Sequence, residues 1–332
     1  MGQVLAICDY ERQYVFRLAE FLNGHKLLPF EVMAFDDPCK LVAYGKSNRV
    51  AVLLIDETMI TQLPEQFPVQ QTISLVSNQG VQSDEYPSIL KYQSAVVIAK
   101  CILEICSSGQ ADYVFSELRT QKARLIGVYS PINRCLKTSF SIVLGQLLAK
   151  KKRCLYINLE PYSGFSQLLD YGATHGNLSQ LLFYLENHSK HFQLKMKSMI
   201  EQFGNLDYIP PTENFLDLQD VTTQTWLELI ETIRSQSEYE IIILDLSDYI
   251  HGLFELLSKC DHVYTIVRKD GMSLAKIDQY EKMLAFTNQS ALLEKTKKIQ
   301  LPIYKQLPKK ISELPYSELA LYVNRLIEED CL

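Results

Sequence analysis

Glycine is scarce in this chain. Its 13 glycines among 332 residues make up about 4%, against an average usage of about 7%. That scarcity argues against collagen-like, linker-rich and glycine-cradled multi-site proteins. It also means that any phosphate-binding loop, whose backbone relies on glycine, has to be checked residue by residue.

Close cysteine pairs and long apolar runs are also missing. The eight cysteines include no CxxC pair, and the nearest two are Cys101 and Cys106. Because metal sites and disulfide frameworks need repeated tight spacing, reduced thiols are favoured. No stretch approaches the ~20 apolar residues of a membrane span, and the chain reaches Asp9 before any signal-like apolar segment forms. We therefore expect a cytoplasmic protein.

Positive charge is the minority sign. The chain has 33 Lys and Arg against 39 Asp and Glu, which gives a formal net charge of -6. That balance disfavours a general nucleic-acid-coating role, so we expect no specific nucleic acid partner. Short basic runs remain, such as Lys295, Lys297 and Lys298 beside an apolar stretch. We interpret these runs as solvated helix ends.

The sequence does contain an alternation of short apolar runs with longer amphipathic segments, which is the pattern of α/β layering. In the first third, residues 4–8, 50–55 and 72–76 predict buried strands, because they are short, continuous and β-branched. Residues 14–22 and 94–106 predict helices, since their apolar residues recur at helical spacing.

A second α/β series begins near residue 123. Its predicted strands are residues 124–130, 154–159, 207–209, 240–246 and 262–267. Its predicted helices include residues 138–150, 223–234 and 317–329. The fold-class prediction is therefore α/β with two doubly wound parallel-sheet domains. We place the first domain at residues 1–110, a linker at 111–122 and the second domain at 123–332.

Polar residues stand at the predicted strand ends of the first domain. They are Asp9, Glu11, Asp56, Ser77 and, before the last helix of the domain, Lys91. In an open parallel sheet these carboxyl-end positions converge on one crevice. There the acids would hold a divalent cation through their oxygens, and the lysine would neutralise a phosphoryl group.

The first domain resembles the receiver domain of response regulators, which has a flavodoxin-like fold. The resemblance implies that Asp56 lies at the phospho-acceptor position, Ser77 at the hydroxyl position and Lys91 at the lysine position. Tyr10 stands beside Asp9 where a second aspartate is usual, so the affinity for Mg²⁺ should fall. We favour a receiver-shaped interaction module, with a working phospho-switch at Asp56 as the alternative.

The second domain opens with a strand, a loop and a helix start. In a phosphate-binding loop, backbone N–H groups and the helix N-terminus face the anion. A lysine reaches the terminal phosphates, and the hydroxyl after it binds Mg²⁺. Lys137 and Thr138 occupy those places, with Ser139 next. Neither glycine that the pattern requires is present, so the pattern by itself would leave Lys137-Thr138 as a chance pair.

The wider stretch is similar to the deviant phosphate-binding loop of the MinD/ParA superfamily of ATPases. The Ser-Pro that often precedes that family's loop is kept. Asn133, Arg134 and Leu136 replace the three glycines of the loop, and Ile132 replaces the signature lysine. The resemblance implies a P-loop NTPase fold for this domain.

Two further strands resemble motifs of the same family. Asn158 stands where an aspartate normally orients the attacking water, and Glu160 stands at the second acidic position. Asp245 ends a strand that matches the acidic motif, so the resemblance implies that Asp245 and Thr138 bind Mg²⁺. The cofactor would be ATP with Mg²⁺. The residues expected to contact it are Lys137, Thr138, Ser139, Arg134 and Asp245.

A receiver-like domain followed by an ATPase-like domain is the architecture of the CpaE/TadZ branch, which the chain resembles over nearly its whole length. The resemblance implies a protein that localises and organises a pilus-assembly or secretion ATPase. It also implies a homodimer, recruited to the membrane or the cell pole through partner proteins.

The departures from the family's motifs predict that catalysis is lost. Non-glycine residues in left-handed backbone positions cost roughly 1–2 kcal/mol each. The amide of Asn158 cannot accept a proton from water as a carboxylate can. Two hypotheses stay open. One is a pseudo-ATPase scaffold that binds nucleotide weakly or not at all, and the other is a slow ATP-dependent switch that uses Lys137, Thr138 and Asp245.

Overall fold

Two compact units make up the chain. The computed structural model describes residues 3–78, 85–109, 111, 113, 122–168, 176–187, 191–304 and 307–332. The first unit comprises Met1–Glu117 and Lys190–Ser198, and the second comprises Leu118–Ser189 and Met199–Leu332. The domain borders expected at residues 110 and 122 enclose a stretch that is mostly outside the described residues, so they stay a prediction.

The first unit alternates strands and helices from its start. In chain order the elements are β1 (Val4–Cys8), α1 (Arg12–His25), β2 (Glu31–Phe35), α2 (Pro38–Gly45), β3 (Val50–Asp56), β4 (Val69–Val76), β5 (Ser88–Leu90) and α3 (Ala95–Ser108). A 3₁₀ helix, Glu57–Gln62, follows β3. The five strands are parallel neighbours in the order β2-β1-β3-β4-β5.

Both faces of this sheet are covered, which is why its central strands are continuously apolar. Leu5 and Ile7 of β1 belong to the core that α1 and α3 cover. Ala6 and Cys8, on the opposite face, belong to the core that includes Leu41 of α2. The alternation follows the two-residue period of a strand. Helices on both faces of a parallel sheet make this unit doubly wound, as predicted.

The second unit has a larger sheet. Its elements in chain order are β6 (Arg124–Tyr129), α4 (Lys137–Leu148), β7 (Cys154–Asn158), α5 (Phe165–Leu168), α6 (Leu178–Asn187), α7 (Phe192–Met199), β8 (Glu201–Phe203), β9 (Leu206–Ile209), α8 (Leu216–Gln219), α9 (Thr223–Gln236), β10 (Ile241–Asp245), α10 (Leu253–Lys259), β11 (His262–Ile266), α11 (Gly271–Phe286), α12 (Ala291–Glu294), β12 (Thr296–Ile299) and α13 (Glu318–Glu329). Most of α7 belongs to the first unit, because Lys190–Ser198 is part of it.

The strand order of the second sheet is β12-β11-β6-β10-β7-β9-β8. Every neighbouring pair is parallel except β8 with β9. Helix α4 is buried along nearly its whole length and packs with α13 against one face of the sheet. The predicted fold class, α/β with parallel sheets in both parts of the chain, is confirmed.

One sequence interpretation is wrong in part. Lys295 does lie at a helix end, as the C-cap of α12, but Lys297 and Lys298 lie in the edge strand β12. Lys297 Nζ lies 2.7 Å from Asp330 Oδ1, and Lys298 Nζ lies 2.7 Å from Glu281 Oε1. Lysines on an edge strand discourage pairing with another chain, which accounts for a charged sequence in a strand.

Among the described residues, no helix combines the length and the apolar character that crossing a bilayer needs.

Candidate functional site

Lys91 is at the centre of a polar cluster at the carboxyl edge of the first sheet, which we call the first crevice. Its ammonium Nζ lies 2.7 Å from Asp9 Oδ2 and 2.8 Å from Glu11 Oε1. Asp56 Oδ2 is 3.7 Å away. The parallel register aligns Cys8 with Ile55, so the residues that follow β1 and end β3 meet at one edge. Lys91 joins them because it directly follows β5.

The acids of the first crevice are held by local hydrogen bonds. Asp9 is 1% exposed, and its Oδ1 accepts from the backbone N–H of Glu11 at 2.7 Å. Asp56 Oδ1 accepts from the backbone N–H of Thr58 at 3.0 Å and from its hydroxyl at 2.5 Å. Ser77 follows β4 and is exposed, and among the described residues it makes no side-chain hydrogen bond to the other four. The structure therefore brings four of the five predicted residues together.

Two tyrosines that the sequence reasoning missed complete this cluster. Tyr14 donates its hydroxyl to the carbonyl of Lys91 at 2.9 Å, and Tyr92 donates to Glu11 Oε1 at 2.5 Å. The Lys91 ammonium is 5.3 Å from the ring centroid of Tyr14 and 5.4 Å from that of Tyr92. Both distances suit a cation–π interaction. The only sequence signal was the position of Tyr92 directly after Lys91.

The first crevice supplies its own cation. Burial by itself would lower the pKa of Lys91, but hydrogen bonds and charge from Asp9 and Glu11 outweigh it, so the pKa is raised. The ammonium stays charged at neutral pH and occupies the space among the carboxylates. Among the described residues, no group of three or more His, Cys, Asp or Glu is arranged to hold a metal ion. The arrangement is therefore an internally paired polar cluster.

The loop after β6 has backbone angles that are typical of glycine, although it contains no glycine. Arg134 and Leu136 have φ angles of +55° and +65°, in the left-handed region. Side chains at such positions cost roughly 1–2 kcal/mol each. Buried side chains of Ile132 and Cys135 anchor the loop in the hydrophobic core, and Ser130 Oγ accepts from the N–H of Ile132 at 3.1 Å. Packing therefore holds the loop in a shape that its sequence disfavours.

Lys137 is the first residue of α4 and is at the centre of the second crevice, which we define as Lys137, Glu160 and Asp245. Its Nζ is bonded to Glu160 Oε1 and to the carbonyl of Leu246. Asp245 Oδ1 lies 3.2 Å from the same nitrogen. The ammonium therefore forms ion pairs with two carboxylates and donates a hydrogen bond to one backbone carbonyl.

Asp245 is fixed from the opposite side. It ends β10, is 0% exposed and is opposite Asn158 in the register of β7. Its Oδ2 accepts from the hydroxyl of Tyr156 at 2.9 Å and from Asn158 Nδ2 at 3.3 Å. Asn158 Oδ1 in turn accepts from the backbone N–H of Glu160 at 3.0 Å. The side-chain amide of Asn158 is thus hydrogen-bonded through both its nitrogen and its oxygen to other groups of this chain.

The electrostatics of the second crevice follow from burial. Burial raises the pKa of Glu160, and Lys137 offsets only part of that effect. Burial would lower the pKa of Lys137, but Asp245 and Glu160 outweigh it and the pKa is raised. Burial also raises the pKa of Tyr156 well above its ordinary value, so its hydroxyl stays protonated and donates to Asp245. Tyr156 was missed by the sequence reasoning, although it shares a strand face with Asn158.

The remaining predicted residues lie around this cluster. Thr138 and Ser139 are half-buried in the first turn of α4, and Arg134 is exposed on the loop. Their contact with a nucleotide stays a prediction. As arranged, the Lys137 ammonium is paired with Glu160 and Asp245 of its own chain, and the binding of ATP with Mg²⁺ stays a prediction.

Comparison with known proteins gives matches to solved structures. No protein-family profile matches the sequence, and no curated protein matches it. The chain is similar to a ParA family ATPase from Chlorobium tepidum, with 16% identity and a TM-score of 0.46 over 57% of this chain and 80% of that one. It is similar to the MinD cell division protein of Aquifex aeolicus, with 19% identity and a TM-score of 0.42 over 55% and 70%. A plasmid partition protein of Borrelia burgdorferi has 16% identity and a TM-score of 0.42 over 62% and 100%.

Proposed function

We propose that this protein is a CpaE/TadZ-like localisation scaffold that positions pilus-assembly or secretion machinery, built on an ATPase fold that no longer turns over ATP. The observation that carries the proposal is the state of Lys137. Its ammonium forms ion pairs with Glu160 and Asp245 and donates to the carbonyl of Leu246. A lysine at the expected phosphate-binding position that is paired within its own chain supports a structural role.

The position of Asn158 supports the loss of catalysis. A carboxylate at that place would accept a proton from water, whereas an amide cannot. Here the amide nitrogen donates to Tyr156 at 2.8 Å and to Asp245 at 3.3 Å. The side chain therefore stabilises the buried carboxylate of Asp245, which is a structural task.

The first unit supports the same function as an interaction module. Its strand order, β2-β1-β3-β4-β5, is that of a receiver-like domain. Lys91 pairs with Asp9 and Glu11 inside the crevice, so the unit has a stable charge state without a metal ion or phosphorylation. We propose that this unit and the second unit act in a homodimer that binds the secretion or pilus platform.

Two measurements on the full chain test the scaffold. Phosphate release from ATP with Mg²⁺ should not exceed the buffer rate in the wild-type protein or in Lys137→Ala. A fluorescent fusion in the native cell should gather at the membrane or a pole, and Lys137→Ala should keep that pattern. An even distribution of the wild-type fusion, or turnover that Lys137→Ala abolishes, contradicts the proposal.

A second candidate function is a slow ATP-dependent switch of the MinD/ParA type. The specific observation in its favour is the backbone of the loop. Arg134 and Leu136 keep φ angles of +55° and +65° where the family has glycine, so the anion cradle is preserved in outline. On this alternative Lys137, Thr138 and Asp245 serve ATP and Mg²⁺. Turnover that is lost in Lys137→Ala would favour it over the scaffold.

A further inference from the structure

Of the three groups that contact the Lys137 ammonium, the side chain of Glu160 is the one that can move away from it. Asp245 is 0% exposed and is held by Tyr156 and Asn158. The carbonyl of Leu246 belongs to the backbone directly after β10, which cannot rotate away. The side chain of Glu160 is 23% exposed, and it is the one acceptor of the three that a side-chain rotation would free.

The loop that an anion needs is otherwise formed. Its backbone has left-handed residues at Arg134 and Leu136, and α4 begins at Lys137. Backbone N–H groups at a helix N-terminus favour an anion there. The carboxylate of Glu160 is itself an anion, and it binds the ammonium that would otherwise meet a phosphoryl oxygen. The second crevice is therefore occupied by the carboxylate of Glu160, which, like the expected phosphate ligand, is negatively charged and accepts hydrogen bonds.

We propose that Glu160 is an internal competitor for the anion site, so that the second crevice binds a polyphosphate chain only when Glu160 releases Lys137. This inference rests on the proposed function, because it explains how an ATPase-shaped unit stays free of nucleotide. On this inference the side chain of Glu160, and not the absence of glycine from the loop, prevents phosphate binding. The ligand class is a polyphosphate, either inorganic or carried by a nucleoside.

Calorimetric titration of the full chain tests this inference with two probes, inorganic tripolyphosphate and ATP with Mg²⁺. Glu160→Gln removes the competing charge and should bind tripolyphosphate about tenfold more tightly than the wild-type protein, which is the size of one charge-assisted hydrogen bond. A similar gain for both probes assigns recognition to the phosphates. A gain for ATP alone contradicts the polyphosphate site.

Matched variants separate the contact from general charge effects. Glu231→Gln removes a charge from a half-exposed ion pair with Lys122 in the same unit and should bind as weakly as the wild-type protein. Lys137→Met added to Glu160→Gln should abolish the gain. Glu160→Asp keeps the negative charge but has a shorter side chain that no longer reaches Lys137, so it should also bind tripolyphosphate more tightly than the wild-type protein. This second variant keeps the test valid if Glu160→Gln does not fold.

Two further outcomes overturn the inference. One is unchanged affinity in both Glu160 variants, and the other is a gain that survives Lys137→Met. These failures are distinct from failure of the proposed function. If neither Glu160 variant gains affinity while the fluorescent fusion still localises, the proposed competition by Glu160 is wrong and the scaffold stands. If the wild-type protein turns over ATP, the scaffold is wrong whatever Glu160 does.

Discussion

Two lysines decide the chemistry of this protein at the residue scale. Lys91 and Lys137 each follow a strand or begin a helix at the carboxyl edge of a parallel sheet, where anions bind in many α/β proteins. Each is instead bound by carboxylates of its own unit. Arg134 and Leu136 have left-handed backbone angles that favour glycine, and the buried side chains of Ile132 and Cys135 beside them hold the loop in this conformation.

The ion pairs of Lys91 predict a pH dependence. Replacing it by Met leaves the buried carboxylate of Asp9 unpaired, so we expect the free energy of unfolding at pH 7 to fall by about 3 kcal/mol. The pKa of Lys91 is raised above its ordinary value of 10.5. Its stabilisation is therefore complete below 10.5 and is lost as the pH rises through the higher folded-state pKa.

Calorimetric melting over a pH series checks this prediction. The gap between the wild-type protein and Lys91→Met should be constant between about pH 6 and pH 9, and it should narrow above 10.5. Lys40→Met is the matched control, since Lys40 is 63% exposed and forms an ion pair with Asp36 at the surface. It should change stability by less than about 1 kcal/mol. A gap that is flat through alkaline pH would contradict the assignment.

At the scale of elements, the sequence patterns located the central strands and several long helices, but they did not identify the 16-residue helix α11. Helices α1 and α3 were predicted within a few residues of their ends, because four or more buried apolar residues recur at helical spacing. Short elements were missed, including β2 and α2. Strand β2 has only five residues and a mixed burial pattern, so its sequence predicts a strand only weakly. It forms a strand because it pairs with β1.

The start of α10 depends on a crowded glycine, and this gives a prediction for the element scale. Gly252 has a φ of +78°, and an added Cβ would lie 2.3 Å from Thr223 Cγ2 at the start of α9. Gly252→Ala should lower the free energy of unfolding by about 2–4 kcal/mol, because strain and overpacking add. Gly204 is the control, since it has a φ of +62° with nothing within 4 Å of an added Cβ.

Urea unfolding followed by tryptophan fluorescence measures this difference. Trp226, the single tryptophan, is fully buried in α9 and reports on the second unit. Gly204→Ala should cost about 1 kcal/mol, the strain contribution by itself. Equal losses in the two variants would mean that the contact with Thr223 has no energetic weight.

At the scale of the whole molecule, the chain does not divide into units at a single point. Lys190–Ser198 belongs to the first unit although the sequence on both sides of it belongs to the second. Leu194, in this segment, is 0% exposed within the core that also holds Val15 and Ile98. The interaction of Lys195 Nζ with Glu104 Oε1 at 3.1 Å adds a polar contact. The core of the first unit is therefore completed by distant sequence.

Leu194→Ala should destabilise the first unit. Removing a fully buried leucine side chain typically costs about 2–5 kcal/mol. Hydrogen exchange read by mass spectrometry should show faster exchange in β3, with a smaller change in β10 of the second unit. Leu321→Ala, at a leucine that is 66% exposed, is the control and should leave β3 unchanged. Loss of protection only in β10 would contradict the assignment of Leu194 to the first unit.

The sequence by itself determined the α/β class and which polar residues stand at the strand ends. These follow from periodicity and residue type, which are local. Only the tertiary structure decided what each lysine binds. Lys91 and Glu11 are 80 residues apart, and Lys137 and Leu246 are 109 apart. A lysine side chain is long and rotates freely, so its partner is chosen by which strands the sheet places beside it.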